Sequence, residues 1–207
     1  MNEETSMTPD PIPPTPTQAP EETPAAPYSP PADPWRPWLM EIFAWGKDIA
    51  VAVLAAILII LFVVQPVKVE GTSMLPRLVD QERIFINRFI YHFSEIHRGD
   101  IVVFRYPKDS TKSFIKRVIG LPGEEIRIEA GQVFVDGLPL IESYVDPQYL
   151  DHASFGPERV PAGSYFVLGD HRNSSNDSRS WGYVPMENVY GKAIFRYWPI
   201  SRVGALE

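Results

Sequence analysis

The 207-residue sequence predicts a mainly all-β protein, a barrel or curled antiparallel sheets, preceded by one transmembrane α-helix and a disordered amino-terminal tail. Three observations carry this prediction. From Lys68 onward the chain breaks into short β-rich runs separated by Gly and Pro, with no long helix-period segment. Ahead of them, Ile49 to Val64 contains no polar side chain. Ahead of that, residues 1–37 hold 12 of the 22 prolines, mixed with Glu, Thr and Ala.

The tail, residues 1–37, is read as disordered. Proline lacks a backbone donor, and so few apolar residues cannot offset the entropy of ordering. A polyproline II docking segment is the sharper alternative.

The anchor is expected over residues 38–66. Apolar residues occur all round the helix rather than on one stripe. The sixteen-residue run from Ile49 spans about 24 Å, short of a hydrocarbon core of about 30 Å. Residues from Ile42, with Lys47 snorkelling to the interface and Gln65–Pro66 ending the helix, supply the missing length. Trp35, Trp38 and Trp45 suit an interfacial belt. A cleaved leader fits less well, because the run lies far from Met1 and follows an acidic, proline-rich tail. The flanking charges, Arg36 and Lys47 against Lys68 and Arg77, do not fix an orientation.

The β-domain is expected over residues 67–207. Arg83–Asn87, Asp100–Tyr106, Ser113–Ile119, Tyr165–Gly169 and Lys192–Trp198 read as strands, and Glu125–Gly137 as a hairpin turning at Ala-Gly. A 44% hydrophobic fraction supports a packed core. The net charge of −7 offers no sustained basic face, which excludes nucleic acid as a partner. Without cysteine there is no disulfide or thiolate site, and the four histidines show no metal-ligand spacing; no metal and no cofactor are expected.

Chemistry centres on Ser73, in V-E-G-T-S-M-L-P just beyond the apolar run. A serine that attacks a carbonyl needs a base. His171, oriented by Asp170 or Asp177, is one reading, although it stands in a polar turn where a solvated histidine is ordinary. Lysine serves if neutral, which requires its usual pKa of about 10.4 to fall by roughly three units, about 4 kcal/mol. Lys116 lies in a strand apolar enough for that. Alternation places Phe114, Lys116 and Val118 on one face and Ile115, Arg117 and Ile119 on the other. An edge-strand gatekeeper lysine is the alternative at this point.

Four segments occur in order: G-T-S-M-L-P at Gly71–Pro76, R-G-D-I-V-V-F at Arg98–Phe104, F-I-K-R-V-I-G-L-P-G at Phe114–Gly123, and G-D-H-R-N-S-S-N-D-S-R at Gly169–Arg179. Together they resemble the type I signal peptidases, membrane-anchored serine proteases that remove signal peptides from exported preproteins. The resemblance runs from about Ile42 to the carboxy terminus. It implies Ser73 as nucleophile, Lys116 as general base, and Ser175 as the hydroxyl that hydrogen-bonds and orients the lysine. It pairs Asp177 with Arg179 and Asp170 with Arg117, which keeps these carboxylates from recharging the amine. Some members carry a hydroxyl for the oxyanion where this chain has Gly71, so the Ser73 backbone N–H is the main donor expected.

The resemblance further implies cleavage after small residues, as in A-x-A, with the peptide docked as an added strand. Met74, Leu78, Ile84, Phe114 and Ile115 are expected around its subsites. The catalytic core is then 67–124 and 161–207, with a small non-catalytic β insert at about 125–160. Location follows as well: the bacterial cytoplasmic (inner) membrane, single-pass, tail in the cytosol and β-domain outside, with the bilayer and preproteins as partners. Trp181, Phe89 and Trp198 are candidates for resting on lipid or for packing in the core. Two other readings are a self-cleaving Ser–Lys regulator and a tethered β-domain that only binds; the oligomeric state is left open.

Overall fold

The structure, a computed structural model, describes residues 36–206, with the side chains at 36–40, 43 and 59–62 outside that description. The expected tail lies outside the described residues, except that Arg36 and Pro37 already belong to helix α1 (Arg36–Val63). Its end also differs from expectation. Pro66 has no N–H to donate and biases Gln65 toward extended backbone, so the helix stops at Val63 and residues 64–66 belong to a strand instead. Ile49, Val51, Val53 and Leu54 of α1 are all more than half exposed. Among the described residues no helix is long and apolar enough to cross a membrane.

Residues from Asp48 onward pack as one unit built from twelve strands. They are β1 (Val64–Lys68), β2 (Arg83–Asn87), β3 (Ile101–Tyr106), β4 (Asp109–Gly120), β5 (Glu125–Glu129), β6 (Gln132–Val135), β7 (Leu138–Pro139), β8 (Phe155–Arg159), β9 (Ser164–Leu168), β10 (Val184–Pro185), β11 (Val189–Trp198) and β12 (Gly204–Ala205). A short helix, α2 (Ser178–Trp181), follows β9. The main sheet has the order β1-β2-β11-β3-β4-β9-β10, with β12 on β11; the smaller sheet has the order β7-β6-β5-β8. Every pairing is antiparallel. The mainly β expectation therefore holds.

The hairpin read from Glu125–Gly137 forms as expected. Glu129 faces Gln132 across a two-residue turn, with Ala130 at φ 47° and Gly131 at φ 86°. Two left-handed residues give that turn the twist flanking strands require. Strand β3 has no polar alternation because both its faces are buried: Ile101 and Val103 enter one core cluster, Val102 and Phe104 another. Strand β9 likewise gives Tyr165 and Val167 to one cluster, and Phe166 and Leu168 to a third shared with Ile126, Ile128 and Val133 of the small sheet. The insert is thus fused to the main sheet through a common core. Trp181 is buried against Phe104 and Tyr106, so it is a core residue, whereas Phe89 and Trp198 stay exposed.

Candidate active site

Ser73 lies in the loop between β1 and β2. Val69 closes the loop's neck, donating to Glu82 O (2.8 Å) and accepting from Gln81 N–H (2.9 Å). Gly71 has φ +91°, a conformation that strains any side-chain-bearing residue. Its N–H donates to Asp80 Oδ1 at 2.8 Å, which holds the Asp80 carboxyl below the usual carboxylate range. That N–H is therefore unavailable to an oxyanion. The Ser73 N–H has no acceptor among the described residues.

Lys116 comes from β4, where it faces Val102 of β3. The alternation read from the sequence holds, since Phe114 and Val118 join one cluster and Ile115 packs on another. Lys116 is only 4% exposed. Its Nζ stands 2.6 Å from Ser73 Oγ and 3.1 Å from Ile115 O. Burial pushes the amine down from its ordinary 10.5 to about 8, against the opposing pull of Asp177 and Asp170. Among the described residues no carboxylate touches it. Lys116 ends the part of β4 that pairs with β3 alone, but its buried amine does not act as an exposed edge charge.

Both expected ion pairs form. Arg117 donates to Asp170 through Nε (2.8 Å) and Nη2 (2.7 Å), and through Nη1 to Gly99 O. Arg179 donates to both oxygens of Asp177 at 2.8 Å. Asp177 also accepts from Gly169 N–H and caps α2.

Other expectations fail. The bond between Ser175 and the amine is absent: Ser175 Oγ is buried without a hydrogen-bond partner among the described residues. A Cβ at Gly169 would overlap this Ser175 oxygen and the Ser73 carbonyl oxygen, so only glycine fits there. Met74, Leu78 and Ile84 do not line the site. They are at most 1% exposed and belong to the core, because the alternate apolar positions of loop and β2 face inward. His171, read from the sequence as an ordinary polar-turn histidine in preference to a base, forms no triad among the described residues. Its Nδ1 lies 3.0 Å from Thr72 O, its ring meets Tyr149 edge-on, and its backbone N–H donates to Ser73 O.

A cleft of about 520 Å³ opens over the pair. Val67 and Lys68 of β1 form one side; Thr111, Ser113, Phe114 and Ile115 of β4 form the other, with Val103 and Tyr190 between. Three strands lie between β1 and β4 in the sheet, so lining one cleft requires the sheet to curl like an incomplete barrel. Among the described residues no group of His, Asp or Glu is arranged to hold a metal ion.

Sequence reasoning missed the outer supports. Arg172 is buried and pairs with Glu142, and Arg179 also pairs with Asp151. Both carboxylates come from the insert, about thirty residues away, where no local pattern marks them.

A family model described as signal peptidase, peptidase S26, matches residues 42–198. A signal peptidase I of Leptolyngbya laminosa is 44% identical over 170 residues, covering 77% of this chain and 81% of its own. A probable signal peptidase I-2 of Synechocystis sp. is 43% identical over 169 residues, covering 78% of this chain and 75% of its own. A solved signal peptidase I from Enterococcus faecalis V583 is 32% identical and covers 48% of this chain and 97% of its own, with a TM-score of 0.43. The family match takes in Ser73, Lys116 and both arginine–aspartate pairs, and the chain belongs to the signal peptidase family, peptidase S26.

Proposed function

We propose that this chain is a membrane-bound serine endopeptidase that removes signal peptides from exported preproteins, with Ser73 as nucleophile and neutral Lys116 as general base. One observation carries the reading: a dry amine, without a carboxylate partner, 2.6 Å from a serine hydroxyl. In its neutral form the amine accepts the Ser73 proton while Oγ attacks the scissile carbonyl carbon. The oxyanion that develops meets the Ser73 N–H. The resulting ammonium returns the proton to the departing amine nitrogen, which leaves an acyl–serine. Lys116 then takes a proton from a water that attacks the acyl carbon, and returns it to Ser73 Oγ as the C–Oγ bond breaks, which frees the signal peptide with a new carboxylate and restores the neutral amine.

The substrate is proposed to lie in the gap between β1 and β4. Four successive antiparallel pairings separate these strands, so both run in one direction. Strand β9 pairs only with the Arg117–Gly120 end of β4, which leaves the Asp109–Lys116 edge open opposite the edge of β1. An extended peptide adds a strand there, and its alternate side chains meet the cleft walls at Phe114 and Ile115. Small residues one and three positions before the cut are proposed to face those walls.

Anchoring rests on the apolar run of α1 and its exposed aliphatic side chains. Direct entry of α1 into β1 keeps Ser73 within ten residues of the helix end. That matches a substrate presented at the outer membrane surface, with the β-domain outside the cytosol. The pairs Arg117–Asp170 and Arg179–Asp177 offset much of the negative field that would otherwise favour the charged amine.

The test is to incubate the purified full chain in detergent with a precursor bearing A-x-A, then sequence the new amino terminus of the product. Cleavage directly after the second Ala is expected. An intact precursor, or cleavage confined to the enzyme's own chain, overturns the proposal.

A further inference from the structure

The segment between β7 and β8 fastens the insert to the loop behind Ser73, and three of its contacts bear on Gly169 or Ser73. Glu142 accepts two hydrogen bonds from Arg172 (2.7 and 2.5 Å), and the same guanidinium donates through Nε to Gly169 O at 3.0 Å. Asp151 pairs with Arg179, which grips Asp177, which in turn accepts from Gly169 N–H at 3.1 Å. Tyr149 packs on His171, whose backbone N–H holds Ser73 O at 3.1 Å. Arg179 also donates to Arg172 O, so the two arginine arms brace one another. Both backbone polar groups of Gly169 are therefore set by side chains whose outer partners belong to the insert.

Gly169 has no slack to absorb a shift. Its Cα sits so close to the Ser73 carbonyl and Ser175 Oγ that no side chain fits between them. Arg172 and Asp177 are buried at 3% and 0% exposure, where a guanidinium or carboxylate that loses its partner must move or draw in water. Displacement there passes directly to the backbone of the nucleophile. Small misplacements of a reacting atom cost large factors in rate.

We infer that Glu142 and Asp151 are positioning residues for the reaction: through Arg172 and Arg179 they fix Gly169, and through Gly169 they fix Ser73 against Lys116. The insert is in this respect part of the catalytic apparatus, in contrast to the sequence expectation. The inference rests on the serine–lysine reading above.

The chain has no cysteine, so in a Ser73→Cys background the pH dependence of iodoacetamide alkylation reports the thiol at position 73 alone. An adjacent Lys116 ammonium is expected to stabilise that thiolate and so to lower the limb. Glu142→Gln and Asp151→Asn are each expected to lower kcat for precursor cleavage about tenfold with KM within about twofold. In the Ser73→Cys background they are expected to move the alkylation limb up toward the ordinary thiol value of about 8.5. Glu142→Asp, which keeps the charge, is expected to recover part of both effects. Glu129→Gln, at an exposed carboxylate paired with Arg127 in the same small sheet, is the control and should change neither. An unaltered alkylation profile with kcat within about twofold, accompanied only by a lower melting temperature, overturns the inference. If Glu142→Gln does not fold, Asp151→Asn decides by the same two readouts. Should the parent chain fail to cleave any precursor, the functional reading falls, while the alkylation profiles still decide this one.

Discussion

Lys116 and Arg117 are consecutive on β4 and almost equally buried, at 4% and 2% exposure, yet their surroundings treat the two charges in opposite ways. Arg117 meets a bidentate carboxylate, a carbonyl oxygen and the ring of Tyr144 4.0 Å away. Its charge is matched on every side. Lys116 meets a hydroxyl, a carbonyl and the ring of Phe114. Nothing there carries a full negative charge. Burial alone does not decide protonation: the partner does, and strand alternation lets neighbouring residues receive different ones.

The comparison breaks most visibly at the base itself. Lys116→Ala and Lys116→Arg are both expected to reduce precursor cleavage at least about a thousandfold, because an arginine cannot give up its proton at working pH. Ser73→Ala should match them, and the double variant should be little worse, since the two act as one unit. In the parent chain, kcat/KM should rise with pH along a limb centred near 8 as the amine deprotonates. A limb centred near 6.5 would point to histidine instead.

On the other face, Asp170→Asn removes the carboxylate and strands a buried guanidinium, at an expected cost of about 3–5 kcal/mol in chemical denaturation. It also removes one of the two groups that raise the Lys116 pKa, so the activity limb of any folded variant should move to lower pH.

Lys116→Met sharpens the contrast from the side of stability. The folded amine titrates near 8 and the unfolded one near 10.5, so between these values the unfolded chain binds more protons and the parent gains stability as pH rises. Below pH 8 the parent must bury an ammonium. The variant should therefore be more stable there by up to about 3 kcal/mol, with the advantage fading toward pH 10.5. Melting curves at pH 6.5 and 9.5 measure the difference. The smallest effect belongs to His171→Ala, which removes a contact to Thr72 O and a ring packed on Tyr149. A loss of at most about tenfold in kcat/KM is expected.

What the sequence revealed followed the range of its signals. Local alternation gave β2 with its observed ends, the Ala130–Gly131 hairpin, and the opposite faces of Lys116 and Arg117. Strand β1 was missed because V-Q-P-V-K reads as the frayed end of an apolar helix until its partner β2 is known. Strand β8 was missed because Gly156–Pro157 reads as a loop. Met74, Leu78 and Ile84 are expected at the cleft only as apolar residues near the serine motif, and apolar character does not say whether a side chain meets a cleft or the core. The Ser73–Lys116 contact joins residues 43 apart and came only from ordered motifs. Glu142–Arg172 and Asp151–Arg179 had no motif on the insert side at all, and three-dimensional packing alone brought them to light.

The unfilled edge between β1 and β4 carries a consequence for what the enzyme leaves alone. A slot of this kind accepts only a ribbon whose amides and carbonyls are still unclaimed. Compact cargo uses those groups within its own helices and sheets and has none to lend. On the proposed docking, selection by shape precedes any reading of side chains, and a preprotein is expected to escape cleavage once its cut site has folded.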